Sequence, residues 1–319
     1  MTDHSTRAAG IDTAKHKLDV AIHGMPTPFT VENLPAGWRR LAGELRRAGV
    51  ERVGIEATGG YERGVVGWLR RAGFAVLVLQ PLQVKAYARL HLRRAKNDRL
   101  DAVLIAACAT ALEAPPIAPD PRLPPLSDAL TFIEQIEEDI ARGKTRLEHI
   151  GQSRLRRLVL ADITRLEARR AAELKRLAQA VRRHDDLARR LDLVQSVAGI
   201  GERTALCLIL RLPELGHLSR EQAAALAGLA PFDDDTGQHK GERHIAGGRA
   251  RARRSLFAAA LAAAFRWNPA LIALYRRLTA KGKPHKLALI ACARKLVIYA
   301  NTVLQRGSPW TPRTSTAHP

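Results

Sequence analysis

Two short apolar segments that each end in a carboxylate constrain the fold of this chain most strongly. Gly10-Ile11-Asp12 is the first, and Val53-Gly54-Ile55-Glu56 is the second. Further along, Asp98 and Asp101 lie one helical turn apart where a helix is predicted to begin, so both can face the same point. Four acids need a physical reason to converge in a strongly basic chain. A divalent metal ion that acts on phosphate provides one.

The charge balance favours nucleic acid as the partner. The 319 residues include 52 Lys and Arg against 31 Asp and Glu, a formal net charge of +21. Such a field attracts polyanions, and DNA or RNA is the leading class. The alternative is a basic protein that is merely soluble or that touches anionic lipid.

The cysteines and the N-terminus bear on location. Cys108, Cys207 and Cys292 are widely spaced and form no CxxC motif, which favours buried thiols in a reducing cytosol. The first nine residues lack an apolar signal core, and we find no apolar run of the roughly 18 residues that a membrane span needs. We therefore expect a soluble, cytoplasmic protein with no membrane partner.

The hydrophobic pattern predicts an α/β domain over residues 7–113. Strands are predicted at 9–24 (two), 29–31, 52–55 and 74–79, and helices at 35–48, 60–72, 82–92 and 98–112. Three consecutive strands followed by alternating helices and strands is the order of an RNase H-like (RuvC-like) sheet. In that architecture, acids at strand ends and on a late helix converge at one edge.

Each acid has an ordinary structural interpretation when it is taken alone. Asp12 can cap a turn, Glu56 can be a strand-end charge, and Asp98 with Asp101 can cap a helix and face its dipole. As a set on this strand order, Asp12, Glu56, Asp98 and Asp101 predict a site for Mg²⁺, for which Mn²⁺ can substitute. Two such ions about 4 Å apart can activate a nucleophile and neutralise the leaving oxygen of a phosphodiester. We interpret the neighbouring acids Asp19 and Glu62 as surface charges.

A proline-rich segment predicts a domain boundary. Residues 114–125 contain six prolines, which exclude a helix or a central strand and indicate a linker. Residues 126–190 then keep helical spacing with many charges, and Gly143 and Gly151 are predicted to divide them into two helices. The segment 114–190 is therefore predicted to be a linker followed by a coiled coil that dimerises or spaces the domains. An intramolecular helical hairpin is the alternative.

The remaining residues, 191–308, predict a mainly α-helical domain, with a disordered tail at 309–319. Gly199 and Gly201 lie in a turn before an apolar helix, similar to a helix-hairpin-helix element in which backbone and helix N-terminus approach a phosphate. A plain connection between two helices is the alternative.

A hydroxyl followed by a basic loop is the second candidate for chemistry. Thr236 follows the acidic run 233–235 and precedes Gly237, and 238–254 then carries six Lys or Arg against one Glu. A hydroxyl in this setting suits a covalent nucleophile to DNA phosphate, with guanidinium groups to neutralise the charge. An ordinary surface loop is the alternative. The predicted phosphate-binding residues are Gly199, Gly201, Lys240, Arg243, Arg249, Arg253 and Arg254.

Together these motifs resemble the DEDD transposase family of bacterial insertion sequences, which includes Piv-like invertases. The match rests on four features that appear in order along nearly the whole chain. They are Gly10-Ile11-Asp12-Thr13-Ala14-Lys15, Ile55-Glu56-Ala57-Thr58-Gly59, Lys96-Asn97-Asp98-Arg99-Leu100-Asp101-Ala102, and a C-terminal module with Gly199-Ile200-Gly201-Glu202, Ala227-Gly228-Leu229-Ala230-Pro231, Gly247-Gly248-Arg249 and Arg253-Arg254-Ser255-Leu256.

The resemblance implies a RuvC-like domain, a coiled coil and a C-terminal transposase domain that carry out DNA strand exchange. It further implies that Asp12, Glu56, Asp98 and Asp101 hold Mg²⁺, and that a structured non-coding RNA of the element bridges target and donor DNA in some members. The active site would be composite, with the acids and a C-terminal serine coming from different subunits of a dimer or tetramer. That serine forms a link to DNA phosphate in the family, and the matching position here is Thr236, whose methyl group crowds the hydroxyl.

The sequence therefore predicts a Mg²⁺-dependent recombinase of a mobile element that acts through a covalent hydroxyl–phosphate intermediate. Two alternatives stay open at this point. One is a RuvC-like nuclease that cuts branched DNA with metal-activated water, and the other is an inactive nucleic-acid-binding protein.

Overall fold

The computed structural model of the chain describes residues 7–91, 98–112, 120–232, 244–245 and 247–311, of which 98–100, 232 and 244 are described by their backbone alone. The chain divides into two compact units, 1–118 and 119–319. The division falls inside the proline-rich segment, where the sequence predicts a boundary.

The N-terminal unit is an α/β domain. In chain order its elements are β1 (Ala8–Thr13), β2 (Lys17–Ile22), β3 (Phe29–Glu32), α1 (Pro35–Arg47), β4 (Arg52–Glu56), α2 (Arg63–Arg71), β5 (Ala75–Leu79), α3 (Pro81–Leu90) and α4 (Asp98–Ala111). The strands form one sheet in the order β3-β2-β1-β4-β5. β2 is antiparallel to β1 and β3, whereas β4 is parallel to β1 and β5. This mixed sheet has the RNase H-like strand order that the sequence predicts.

The two faces of this sheet are covered by different helices. Ile11 of β1 and Ile55 of β4 are fully buried on one face, in a cluster with residues of α1 and α2 such as Leu41 and Leu69. On the other face, Leu77 and Leu79 of β5 pack in a cluster with residues of α3 and α4. Because side chains alternate along a strand, residues next to Ile11 and Ile55 in sequence belong to the α4 face.

The C-terminal unit is almost wholly helical. Its elements are α5 (Leu123–His149), α6 (Ser153–Arg182), α7 (Asp185–Gln195), α8 (Glu202–Arg211), α9 (Arg220–Leu226), β6 (Pro231–Phe232), β7 (His244–Ile245), α10 (Ala250–Ala262), a π-helical turn (Ala263–Trp267), α11 (Pro269–Ala280) and α12 (His285–Arg306). α5 and α6 pack along one another as a hairpin within the chain. Their shared core contains Ile136, Ile140 and Ile163, and Lys144 pairs with Glu167 at 2.9 Å across it. The intramolecular alternative is therefore what the structure shows, and no coiled coil between subunits is established.

The last helix, α12, occupies the core of the C-terminal unit. It packs against α7, α9, α10 and α11, and Leu289, Cys292 and Leu296 are buried along its length. By length and composition it is the one described helix that could alone cross a membrane, and 56% of its most apolar stretch is buried inside the protein. That burial is the pattern of a core helix.

Three local predictions were wrong. α5 begins at Leu123, so Pro124 and Pro125 belong to its first turn, where a proline removes no helical hydrogen bond. Gly143 lies inside α5 and does not end it, because its missing side chain makes room for Ile163 of α6, whose Cγ1 would lie 2.9 Å from an added Cβ. The predicted disordered tail included residues 309–311, which the structure describes, and the backbone N–H of Trp310 donates to Ser196 Oγ at 2.7 Å.

Candidate active site at the carboxyl ends of two parallel strands

The register of the sheet places Asp12 and Glu56 side by side. Gly10 and Ile11 of β1 pair with Gly54 and Ile55 of β4 in parallel register. Asp12 and Glu56 are the next residues on each strand, so they project from the same face at the same edge, with adjacent strands roughly 5 Å apart. Both side chains are half-buried.

Helix α4 brings Asp101 to the same edge. An added Cβ on Gly10 would lie 2.2 Å from the Ala102 carbonyl oxygen, and one on Gly54 would lie 2.7 Å from Ala109 Cβ. Arg52 at the start of β4 donates to the carbonyl oxygens of Ala109 and Leu112, at 3.3 and 2.9 Å, so the end of α4 lies over the start of β4 and the helix runs antiparallel to that strand. The first turn of α4, which carries Asp101, therefore lies beside Asp12 and Glu56. The sequence motifs contained both glycines, but their role in this close approach was missed.

The negative charges of Asp12 and Asp101 both act on Glu56. Burial raises the pKa of Glu56 above its ordinary value, and the negative charges of Asp12 and Asp101 raise it further, while Lys85 opposes them. Like charges affect one another in this way only across short distances. Asp98 opens α4 one turn before Asp101, and its side chain lies outside the described residues.

The donor set suits a hard divalent cation without forming a closed cage. Among the side chains that the structure describes, no three His, Cys, Asp or Glu residues converge tightly enough to hold a metal ion alone. Mg²⁺ usually keeps several waters and is bound by one or two carboxylates together with substrate phosphates. An open edge with carboxylates from β1, β4 and α4 fits that mode of binding.

Glu56 should destabilise the metal-free N-terminal unit. Because its pKa is raised in the folded state, folded Glu56 retains its proton at pH values where the unfolded chain has lost it. Stability should therefore fall as pH rises from the ordinary value of 4.5 through the raised pKa. We expect Glu56→Gln to raise the melting temperature by a few degrees at neutral pH without divalent ions. Mg²⁺ should stabilise the wild-type protein and stabilise the variant much less. Calorimetry with and without Mg²⁺ measures both, and an equal Mg²⁺ effect on the two proteins would contradict the assignment.

Two acids interpreted as surface charges are buried. Asp19 lies directly opposite Asp12 on β2 and is 5% exposed. Its carboxylate accepts a hydrogen bond from Thr30 Oγ1 at 2.6 Å and pairs with Lys17 Nζ at 2.7 Å. The local alternation of β2 contained this signal, because Asp19 falls on the same face as its cross-strand neighbour Asp12.

Glu62 holds the loop that follows Glu56. It is 9% exposed and accepts hydrogen bonds from the backbone N–H of Thr58 at 3.2 Å and of Gly60 at 2.9 Å, and from Thr58 Oγ1 at 3.1 Å. Burial by itself would raise the pKa of Glu62, but these hydrogen bonds keep it below its ordinary value. Glu62 thereby fixes the path of the chain where it leaves the candidate site.

The second predicted site is described only at its borders. Thr236, Lys240 and Arg243 lie outside the described residues. Pro231 pairs with Ile245, and Phe232 pairs with His244 in a short antiparallel ladder. The segment that carries Thr236 therefore leaves and re-enters the C-terminal unit at one point.

The arginines around this point have partners inside the protein. Arg249 donates to both oxygens of Glu214, at 2.5 and 2.6 Å, and to the Arg211 carbonyl oxygen. Arg253 donates to the carbonyl oxygens of Gly228 and Gly247, on either side of the ladder. Both arginines hold the base of the segment that carries Thr236, so their direct contact with phosphate stays a prediction.

The other predicted phosphate-binding residues differ in exposure. Arg254 pairs with Glu138 at 3.3 Å, and its side chain is 65% exposed, so it remains accessible. Gly199 has φ +98°, and an added Cβ would lie 2.3 Å from Ala263 Cβ, so packing explains this glycine. Gly201 faces open space at the start of α8. A helix-hairpin-helix element is not confirmed by this geometry.

Two family profiles and several known proteins are similar to this chain. The profile of the DEDD transposase family of IS110 elements matches residues 9–153, and that of the transposase IS116/IS110/IS902 family matches residues 191–276. The chain is 27% identical to the pilin gene-inverting protein of Moraxella bovis over 321 residues, which span 95% of this chain and 97% of that protein.

Two further similarities cover shorter regions. The chain is 31% identical over 128 residues to an uncharacterized 43.6 kDa protein of insertion element IS110 from Streptomyces coelicolor, covering 38% of this chain and 30% of that protein. The structure of T. thermophilus RuvC in complex with a Holliday junction substrate matches 32% of this chain and 91% of that chain, with 20% identity and a TM-score of 0.26.

The two profiles follow one another along the chain, and the first covers the strands and helix that carry Asp12, Glu56 and Asp101. The chain belongs to the DEDD transposase family of bacterial insertion sequences, and it is a transposase or recombinase enzyme of the IS110 type.

Proposed function

We propose that this transposase cuts and rejoins DNA with a divalent metal ion at the β1–β4 edge and with Thr236 as the covalent nucleophile. The observation that supports the proposal is that Asp12, Glu56 and Asp101 lie at one edge of the sheet, where burial and then the charges of Asp12 and Asp101 raise the pKa of Glu56. Carboxylates that repel one another in the absence of metal are suited to bind a cation that neutralises them.

The described residues have distinct parts in this proposal. Asp12 and Glu56 present oxygens from rigid strands, and Asp101, with Asp98 before it, presents oxygens from the first turn of α4. When bound, Mg²⁺ or Mn²⁺ would neutralise charge at the scissile phosphate. Glu62 and the glycines Gly10 and Gly54 keep the strand ends and α4 in place.

The covalent step exchanges one phosphate ester for another. The Thr236 Oγ–H loses its proton to a base, Oγ forms a bond to phosphorus, and the bond from phosphorus to one DNA oxygen breaks. The departing oxygen takes up a proton and becomes a free DNA hydroxyl. The reverse reaction with a new DNA hydroxyl rejoins the strand and frees Thr236, so no external energy source is required.

The partners follow from the family and from the charge. DNA at the element ends and at the target is the substrate class. A structured guide RNA of the element and a homo-oligomer, dimer or tetramer, in which acids and Thr236 come from different subunits, complete the proposal. The net charge of +21 supports binding of both nucleic acids. A cytoplasmic location suits a protein that acts on chromosomal DNA.

Cleavage of DNA that carries the element's own ends tests the metal site. We expect Mg²⁺-dependent strand breakage by the wild-type protein, which EDTA abolishes. Asp12→Asn, Glu56→Gln and Asp101→Asn should each lose detectable cleavage. Glu51→Gln is the matched control, because exposed Glu51 lies just before β4, at the opposite end from Glu56. Equal loss in the control, or cleavage that persists in all three variants, would overturn the site.

The covalent step is tested separately by trapping a protein–DNA adduct under denaturing conditions. The adduct should form with the wild-type protein and disappear in Thr236→Val, which keeps the shape of the side chain without its hydroxyl. Thr236→Ser should form it faster, because removal of the methyl group opens the approach to phosphorus. Cleavage that continues in Thr236→Val would instead indicate a nuclease that uses metal-activated water.

A further inference from the structure

A cavity of about 490 Å³ lies in the C-terminal unit beside the end of α12. Its wall contains three cations: Arg220 from the first turn of α9, and Lys295 and Arg306 from α12. None of the residues that form the wall is an acid. A concave surface with this composition selects an anion.

These cations differ from four arginines that hold the helices of the unit together. Arg203, Arg211, Arg249 and Arg251 all donate to carboxylates. Within the part of the chain that the structure describes, Arg220, Lys295 and Arg306 form no side-chain hydrogen bond or ion pair. Their charge is therefore available to a ligand, whereas Arg249 and Arg253, which the sequence had suggested, already donate to groups of the protein.

An aromatic pair forms another part of the wall. The rings of Tyr299 and Trp310 lie tilted against one another, with centroids 4.1 Å apart and an interplanar angle of 35°, and the hydrogen bond from the Trp310 backbone N–H to Ser196 Oγ holds Trp310 in place. α12 ends at Gly307, whose φ of +63° turns the chain so that 308–311 fold back onto the helix. This reversal puts Trp310 against Tyr299.

The remaining wall is polar and rigid. Asn268 is 2% exposed, donates to the Ala198 carbonyl oxygen at 3.0 Å and accepts from the backbone N–H of Leu271 at 3.2 Å. Ala198 itself lines the cavity and precedes the Gly199 turn. Next to Asn268, Trp267 is 57% exposed, and the Arg266 guanidinium lies 5.1 Å from its ring centroid. Two of the four tryptophans of the chain thus belong to this region.

We propose that this cavity binds an unpaired nucleotide of a single-stranded nucleic acid. The base stacks on the Tyr299–Trp310 pair, and Arg220, Lys295 and Arg306 hold the flanking phosphates. Cationic grooves combined with stacking aromatic rings are the common means of binding single strands, whereas a duplex keeps its bases inside and offers this cavity only phosphates. The volume falls within the ordinary range of small-ligand pockets. The inference rests on the proposed function only in that the enzyme acts on nucleic acid.

Single-strand binding by full-length protein tests the proposal. Labelled 12-nucleotide DNA and RNA of one sequence, and the matching DNA duplex, are titrated at fixed salt. Trp310→Leu and the double variant Lys295→Gln/Arg306→Gln should each weaken single-strand binding about fivefold to tenfold, with much less effect on the duplex. Arg276→Gln/Arg277→Gln is the matched control, since it removes the same charge from exposed positions on α11 and should change affinity less than about twofold.

Crosslinking locates the contact. An oligonucleotide with one 5-iodouracil, irradiated in complex with the protein, should form a covalent bond to Trp310 or Tyr299, which mass spectrometry identifies. In the binding titration, Trp310→Phe should retain near wild-type affinity, because phenylalanine also offers a ring on which a base can stack. Tighter RNA binding would assign the cavity to a guide RNA, and tighter DNA binding to a displaced DNA strand.

Three results would overturn the proposal. They are unchanged single-strand affinity in the folded pocket variants, an equal loss in the control, and a crosslink found only elsewhere. The pocket variants should still bind Mn²⁺ like the wild-type protein, whereas Asp12→Asn should lose Mn²⁺ and keep single-strand affinity. Failure of the metal site and failure of the cavity are therefore distinguishable.

Discussion

Replacing Gly10 by alanine should cost about 3 kcal/mol of stability or more, at the upper end of overpacking effects. The added Cβ would lie 2.2 Å from both the Ala102 carbonyl oxygen and the Ala106 backbone nitrogen. Backbone atoms of a helix cannot move aside individually, so α4 as a whole must shift away from β1. Because Asp101 travels with α4, cleavage should be lost even in molecules that remain folded. Thermal unfolding and the cleavage assay measure the two effects.

Two matched changes make this expectation specific. Gly43→Ala in the middle of α1 meets nothing within 4 Å and should stabilise the protein by about 0.5–1 kcal/mol through helix propensity. Gly54→Ala meets the Ala109 side chain at 2.7 Å, so Ala109→Gly should partly rescue it, whereas no side-chain truncation should rescue Gly10→Ala. A Gly10→Ala protein as stable and active as the wild type would contradict the close packing of α4.

Glu134→Gln should destabilise the C-terminal unit by about 3 kcal/mol, the lower range for breaking a buried ion pair. Glu134 lies on α5 with its side chain 8% exposed, and it accepts from Arg211 at 3.1 Å and from Arg251, with Arg203 3.7 Å away. One carboxylate therefore ties α5 to cations of α8 and α10. Its loss leaves Arg211 and Arg251 without the anion that offsets their charge, whereas Arg203 keeps Glu137 at 2.7 Å.

Glu138→Gln is the control on the same helix. Its pair with Arg254 is 3.3 Å long, and the side chains of Glu138 and Arg254 are 52% and 65% exposed, so the cost should stay below about 1 kcal/mol. Urea unfolding of full-length protein compares the two variants. A Glu134→Gln protein that unfolds at the same urea concentration as Glu138→Gln would show that apolar packing alone fixes α5.

Much of the N-terminal unit could be predicted because its signals are local. Each strand alternates or forms a short apolar run, each helix keeps its spacing, and acids terminate the strands that carry them. These features give the order of elements, and that order restricts the sheet to a small number of topologies. The acids Asp12 and Glu56 were predicted to meet for this reason, and each directly follows one of the register partners Ile11 and Ile55.

Several features could not be predicted from the sequence, because they depend on residues of distant segments or on the conformation of a particular turn. Asp19 and Glu62 look like surface acids until the neighbouring strand and the loop with Thr58 and Gly60 cover them. Gly143 looks like a helix breaker until Ile163 occupies the space that its missing side chain leaves. At each of these positions, the contacting residue that determines burial or helix continuity is remote in sequence, or is brought close by a particular turn.

The sequence by itself predicted most of the secondary structure, the sheet order, the family and the candidate acids, because hydrophobic periodicity and strand-end residues are features of neighbouring positions. Only the tertiary structure decided which of the described cationic side chains are paired within the protein and which line a cavity. Arg249 and Arg253 are bound to the protein, whereas Arg220, Lys295 and Arg306 face a cavity beside Trp310. The physical reason is that a charge is either neutralised or available according to what the fold places within a few ångströms of it, and no local pattern records that distance.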